Sequence, residues 1–289
     1  MKNKLSKIAK DTNNFLKNFL KKQQGSGLLA SMKYGLLPGG KKVRSKLLID
    51  VGNIFNINYQ TLIKIGAAIE CIHAYSLIHD DLPCMDDDII RRGKLTNHKK
   101  FGESTAILAG NSLLTISFEI LSSDKLDISS NLKINIINLI SKCSGHSGVA
   151  GGQFLDLNYE KKIVSKNKII DMQRKKTGML FKFCCLTPVI LSKKNKYFKK
   201  FENIGSDIGL LFQITDDLID HKGISKKVGK KTRKDKKKGK ATLISLLGYK
   251  NTINYSLKLK NKIFKQLNQF GNKANDLKET LDFVVSRSK

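Results

Sequence analysis

Eight aspartates fall in two short clusters of a chain that is otherwise poor in acid, with 24 Asp and Glu against 54 Lys and Arg. Asp80, Asp81, Asp86, Asp87 and Asp88 stand within nine positions, and Asp216, Asp217 and Asp220 form the second group. Like charges this close repel one another unless a cation sits among them. Carboxylate oxygens are hard ligands suited to Mg²⁺ or Ca²⁺, and the spacing does not match a twelve-residue EF-hand loop. On a helix, Asp216 and Asp220 are separated by one turn, and Asp217 and Gln213 are expected on the same face. Like charges at that spacing disfavour a helix, which again calls for a counter-ion. The reading is two banks of one Mg²⁺ site, the rest of the metal shell being water and phosphate oxygens. An acidic surface loop is the alternative for the first cluster.

Basic residues supply the complement. The stretch GGKKVR (39 to 44) is a glycine turn followed by Lys41 and Arg44. Glycine lets backbone amides approach an anion, and an arginine can grip phosphate with two donors. His73 lies two turns before Asp80 on the same helix face. Taken alone it reads equally well as a core histidine.

Helices must position these groups. Pro38, Pro83 and Pro188 are the only prolines, so helix is rarely interrupted. Residues 61 to 79 are apolar nearly all round, the mark of a buried helix. Residues 104–123, 131–157, 172–192, 201–220 and 251–270 carry apolar positions at three- and four-residue spacing. No strand-like alternation persists. The expectation is an all-α chain, a single helical domain over 1–289. The breaks at Gly39-Gly40, at Pro83 and across 221 to 240 read as functional loops. Asp80 and Asp81 end the buried helix, and Pro83 forces a bend that can return Asp86 towards Asp80.

Bulk properties narrow the class. A chain of 289 residues, 40% hydrophobic, can bury a large core. No uninterrupted apolar run approaches the ~18 to 20 residues of a membrane span, and the basic N-terminus lacks the pattern of a secretory signal. Stable membrane insertion is therefore not expected. Five cysteines without a CxxC pair suggest neither a disulfide framework nor a zinc site, and a reducing cytoplasm suits them. The net charge of +30 raises the possibility of a nucleic-acid partner. Lysine is scattered, however, and its densest run (222 to 240) has no aromatic residue to stack on a base. A basic nucleic-acid-binding protein is thus the disfavoured alternative.

The motifs in order are YGLLPGGKKVR (34 to 44), ECIHAYSLIHDDLPCMDDDIIRRG (70 to 93), GGQFLDL (151 to 157), KTG (176 to 178), FQITDDLID (212 to 220) and GKAT (239 to 242). Together they resemble the trans-prenyltransferases, the isoprenyl diphosphate synthases or polyprenyl synthetases, over nearly the whole chain. The bacterial farnesyl diphosphate synthase group is the nearest likeness, with geranylgeranyl-forming enzymes as the alternative. The resemblance implies an isoprenoid-synthase fold, a helical bundle with a central active-site cavity, and usually a homodimer. It also implies Mg²⁺-dependent head-to-tail condensation of isopentenyl diphosphate with dimethylallyl or geranyl diphosphate.

Residue by residue, it assigns metal binding to Asp80, Asp81, Asp86, Asp216, Asp217 and Asp220. Lys41, Arg44, His73 and Arg92 take the isopentenyl diphosphate without metal. Arg91, Lys176, Thr177, Gln213, Lys230 and Lys240 surround the allylic diphosphate. Tyr75, about one and a half turns deeper than Asp80, and its neighbour Ser76 are implied as the floor that limits product length. Ser45 stands where relatives usually have proline, which is expected to loosen the helix start, and Lys175 where many have histidine. A terpene cyclase also uses two acidic clusters but has no need of the metal-free diphosphate site.

Overall fold

The computed structural model describes residues 1–23, 25–37, 40–222 and 239–286. Helix dominates, as expected; the only strands among the described residues are Ile90–Arg91 (β1) and Lys94–Leu95 (β2), an antiparallel pair. The described residues gather into two compact units, one of Lys2–Gly52 and Asn56–Asn138, the other of Met1, Asn53–Phe55 and Leu139–Lys289.

The first unit carries α1 (Lys2–Leu20), α2 (Gly27–Leu36), most of α3 (Val43–Ile54), α4 (Tyr59–Asp80), the β1–β2 hairpin, α5 (Asn97–Phe101) and α6 (Glu103–Ser122). α4 starts at Asn58, whose side chain accepts from the amides of Gln60 and Thr61 at 2.9 and 3.2 Å, a helix N-cap. Its Leu62, Ile65, Ala67, Ala68, Ile69, Cys71 and Ile72 are wholly buried, and it packs on α1, α2 and α6. By length and mean apolarity α4 and α6 could each cross a membrane, which a search for unbroken apolar runs overlooks. Yet 72% of the most apolar window of α4 is buried inside the protein.

The hairpin was not expected. Arg92 and Gly93 both have positive φ, 53° and 76°, the requirement of a two-residue turn with mirror-image geometry. Glycine suits such a turn, whereas arginine is strained there.

The second unit begins within α7 (Ser130–Ser144) and continues with α8 (Val149–Asn158) and α9 (Lys166–Gln173). α9 runs through a π-helical turn, Arg174–Gly178, into α10 (Met179–Leu191). α11 (Phe198–Lys222), α12 (Leu243–Leu247), α13 (Tyr249–Leu267) and α14 (Asn275–Ser286) complete it. α10 and α11 pack along their lengths, with α13 and α14 also against α11. Two close approaches set this packing. A side chain at Gly152 of α8 would meet the Lys176 backbone nitrogen at 2.0 Å, and one at Gly209 of α11 would meet the Gly178 Cα at 2.2 Å. The π turn is thus clasped by bare backbone from α8 and from α11, and such turns often mark functional sites.

Candidate active site

In the first unit the bend after α4 folds back as its sequence suggested. The Asp86 amide donates to the Asp80 carbonyl at 2.8 Å, and Asp87 and Asp88 donate to the carbonyls of Leu82 and Asp81. Asp80 and Asp86 are half-buried. Asp81 has a different setting: it is 3% exposed, and its two carboxylate oxygens lie 2.8 and 2.7 Å from Arg91 Nε. Arg91 Nη2 reaches Asp88 as well, at 3.8 Å. Burial works against the Arg91 charge, but Asp81, Asp80 and Asp88 outweigh it and raise the guanidinium pKa.

A separate cationic group lies nearby on α3, α4 and the hairpin. His73 is held well below the usual imidazole range by loss of solvation and by the charges of Arg44, Arg92, Lys42 and Arg91. Arg92 is lowered by burial and by Arg91 and Arg44, against the pull of Glu70 and Asp81. A side chain at Gly40 would come within 3.2 Å of the Arg92 guanidinium, so the glycine turn lies directly against it. Lys41, the next residue, is exposed. Gly39 lies outside the described residues. Concentrated positive charge of this kind raises local anion concentration.

Beneath this group is an anchor that sequence reasoning missed. Lys42 is buried with φ 48°; its ammonium donates to the Leu36 carbonyl at 2.9 Å and pairs with buried Glu70. Ser45 Oγ donates to Gly66 O and to Glu70 Oε1. Ser45 therefore ties the start of α3 to α4 rather than loosening it. The available signal was Glu70, the one acid within the apolar stretch 61 to 79.

Tyr75 stacks edge-on against His79, ring centroids 4.8 Å apart, while His79 Nε2 bonds the Ile107 carbonyl of α6. The tyrosine is thereby linked to α6 only through His79. Burial and the Asp80 charge raise the Tyr75 pKa, so it stays neutral. Ser76 Oγ turns back to the His73 carbonyl.

The second unit assembles the remaining residues on α8, α11 and the π turn. Asp216 and Asp220 are half-buried on one face of α11. Asp217 lies on the Gln213 side of this face and is deeper than Asp216 and Asp220: it is 4% exposed and accepts from Gln213 Nε2 at 2.7 Å and Gln173 Nε2 at 3.0 Å. A step of one residue turns it about 100° towards the packed side of the helix. Gln213 Oε1 in turn accepts from Thr177 Oγ1 at 2.7 Å. Lys176 and Lys240 converge on Asp156 Oδ2 at 2.6 and 2.7 Å. Lys240 also pairs with Glu160 at 2.9 Å. Lys230, and the lysine run around it, lie outside the described residues.

Among the described residues no three His, Cys, Asp or Glu side chains form a ready-made metal cage. The donors nonetheless suit Mg²⁺, which is commonly held by one or two carboxylates with water and substrate phosphates. Asp80 and Asp86, drawn together by the backbone bond between them, and Asp216 with Asp220 offer such hard oxygens.

An α-helical scaffold carrying two aspartate groups and a cationic group has the makings of an enzyme for anionic, phosphate-bearing substrates. The comparison with known proteins identifies which. The Polyprenyl synthetase family model matches residues 26–283, and the chain belongs to that family. It is 38% identical to the farnesyl diphosphate synthase of Bacillus subtilis over 268 residues, covering 89% of this chain and 90% of that one. Among solved structures, an apo FPP/GFPP synthase from Zymomonas mobilis is 35% identical with a TM-score of 0.88, covering 97% of both chains. A geranyltransferase of Helicobacter pylori, complexed with magnesium and isoprenyl diphosphate, is 30% identical with a TM-score of 0.83 over 98% of this chain and 96% of that one.

Proposed function

We propose that this chain is a prenyltransferase that condenses isopentenyl diphosphate with dimethylallyl and geranyl diphosphate to give farnesyl diphosphate. One observation carries the reading. Within the first unit a carboxylate turn brings Asp80 and Asp86 together, and a second group gathers the charges of Arg44 and Arg92 around the neutral imidazole of His73. The first suits a diphosphate that arrives with metal and the second a diphosphate that arrives without it. An enzyme that joins two diphosphates needs both, whereas a cyclase needs only one.

In this reading Asp80, Asp86, Asp216 and Asp220 hold Mg²⁺. Asp81 and Asp217, engaged by Arg91 and by two glutamines, are assigned to orienting those groups rather than to the metal. Bound Mg²⁺ supplies Lewis-acid stabilisation of charge on the allylic diphosphate. Arg91, Lys176 and Lys240, with Lys230 from the family pattern, stabilise the departing diphosphate by fixed positive charge. Thr177 donates its hydroxyl hydrogen bond to Gln213 Oε1, so its Oγ can present lone pairs to the allylic cation. Lys41, Arg44, His73 and Arg92 hold the isopentenyl diphosphate so that its double bond meets that cation, a saving in orientation. The proton lost afterwards passes to the released diphosphate, and no side-chain base is assigned.

The cationic group beside His73 needs a neutral imidazole able to donate one hydrogen bond, which its lowered pKa supports. Tyr75 with Ser76 is assigned as the floor that ends growth at fifteen carbons. The reading treats 1–289 as one catalytic domain acting as a homodimer in the cytoplasm. It assigns no role to nucleic acid, so duplex DNA is expected to bind no more than any cationic surface would. The test is Mg²⁺-dependent incorporation of labelled isopentenyl diphosphate with either allylic primer, products resolved by length. A fifteen-carbon end product supports the whole reading. A twenty-carbon one keeps the reaction and replaces the product with geranylgeranyl diphosphate. No product from folded protein with Mg²⁺ overturns it.

A further inference from the structure

We propose that Asp156 is a positioning residue that aims the paired ammonium groups of Lys176 and Lys240 at the leaving diphosphate. The inference rests on the prenyl-transfer reading and deepens it. Both lysines meet the same carboxylate oxygen, Oδ2, at 2.6 and 2.7 Å, so their two charges are brought close together. Two cations at such range repel strongly where water is scarce, and Asp156 is only 6% exposed. Burial alone would raise its pKa, but the two lysines outweigh burial and hold it below the usual carboxylate range. It is therefore a fixed negative charge.

The setting is built rather than incidental. Asp156 stands on α8, Lys176 on the π turn and Lys240 just before α12. The bare backbone of Gly152, one turn before Asp156, lets α8 touch the Lys176 backbone, which sets the carboxylate under the lysine side chain. Glu160, one turn further along α8, takes Lys240 again. Gln153, three residues before Asp156, is buried with neither amide atom hydrogen-bonded among the described residues, an open polar demand on the same side of α8. An ammonium has three protons, so the carboxylates on Lys176 and Lys240 do not use up their capacity to donate to phosphate oxygens.

A purely electrostatic view would omit this acid, because it lowers the attraction for an anion. Its value lies in direction: the lysines are preorganised before charge develops on the leaving group. Asp156→Asn is therefore expected to lower kcat about 100-fold. KM for the allylic diphosphate, and inhibition by inorganic pyrophosphate, should stay unchanged or tighten, because the site becomes more positive. A merely structural role would instead raise KM and lower thermal stability together. In a Lys176→Met, Lys240→Met background the same substitution should change kcat by less than about 3-fold, since nothing remains to aim. Glu160→Gln, touching Lys240 alone, should have a smaller effect than Asp156→Asn.

Wild-type kcat in Asp156→Asn, or an equal loss in the double-lysine background, overturns the proposal. Should Asp156→Asn not fold, Asp156→Glu retains the charge, and a kcat loss with KM unchanged is the expected result. Equal kcat in that variant and wild type overturns it. An inactive but folded wild type would sink the prenyl-transfer reading instead, so the two failures are separable.

Discussion

Arg91 grips Asp81 from the side, its Nε spanning both carboxylate oxygens and its Nη2 adding a third bond to Oδ1 at 2.5 Å. With the carboxylate committed in this way, Asp80 and Asp81 separate in role although adjacent in sequence. Asp80→Asn is expected to raise the Mg²⁺ concentration needed for half-maximal rate at least tenfold, with the fold intact. Asp81→Asn should leave that concentration nearly unchanged and lower both kcat and stability, the latter by about 1 to 3 kcal/mol, because the part-buried guanidinium loses its main partner and keeps only the longer contact to Asp88. Magnesium titrations and urea unfolding of the two variants check this. Equal Mg²⁺ dependence in both would contradict the division.

Gln213 is held from both ends, by Thr177 and by Asp217. Asp217→Asn sets an amide against the amides of Gln213 and Gln173 and unmakes the chain that aims Thr177. Stability should fall by about 1 to 3 kcal/mol for the buried bonds lost, and single-turnover ionisation of the allylic diphosphate should slow more than its binding weakens. Thr177→Ser, which keeps the hydroxyl, should stay near wild type, while Thr177→Val should not.

His73 sets a pH dependence whose sign follows from its lowered pKa. The unfolded chain takes up this proton below the ordinary value of 6.5, the folded chain only at lower pH. Its contribution to stability is therefore complete above about 6.5 and is lost as pH falls towards the folded value. Between pH 7.5 and 5.5 the wild type should lose more stability in urea than His73→Gln. A parallel decline would show that the imidazole is not held neutral.

Of the five cysteines, Cys84 alone is exposed, in the turn between the two parts of the first aspartate group. Burial pushes the thiols of Cys71 and Cys143 up to about 12. Ellman's reagent at pH 8 should thus titrate one thiol in the native protein and five after denaturation. More than one native thiol would mean that a core helix opens readily.

Tyr75 braces His79, which is bonded to α6. Tyr75→Ala should lengthen the dominant product to twenty carbons or beyond with little change in the first condensation, read by radio-chromatography of the dephosphorylated products. Unchanged product length would move the floor elsewhere.

The helices and the two acidic groups were legible because apolar spacing and charge are local properties. Depth was less so: Asp217 and Asp220 share a face by spacing, yet Gln213 and Gln173 engage Asp217 at a buried position while Asp220 stays half-buried. The Arg92-Gly93 turn was invisible because propensity argues against arginine at positive φ. Asp156 stood in a quoted motif without an assigned role, since its partner Lys240 is 84 residues away and no periodicity connects them. Lys230 was named from the family pattern and lies outside the described residues.

The two backbone clasps on the π turn, at Gly152 and Gly209, have a consequence for how this chain can change over generations. Elsewhere, lysine for arginine or isoleucine for leucine is a small step, and a helical surface absorbs it. At these two positions even one added methyl would collide with main chain at 2.0 and 2.2 Å, and main chain cannot swing aside as a side chain can. In a saturation library selected for activity, both sites should return glycine almost alone, while the lysine-rich surface accepts wide replacement. Positions that contribute no atoms to chemistry can thus have very little freedom to drift.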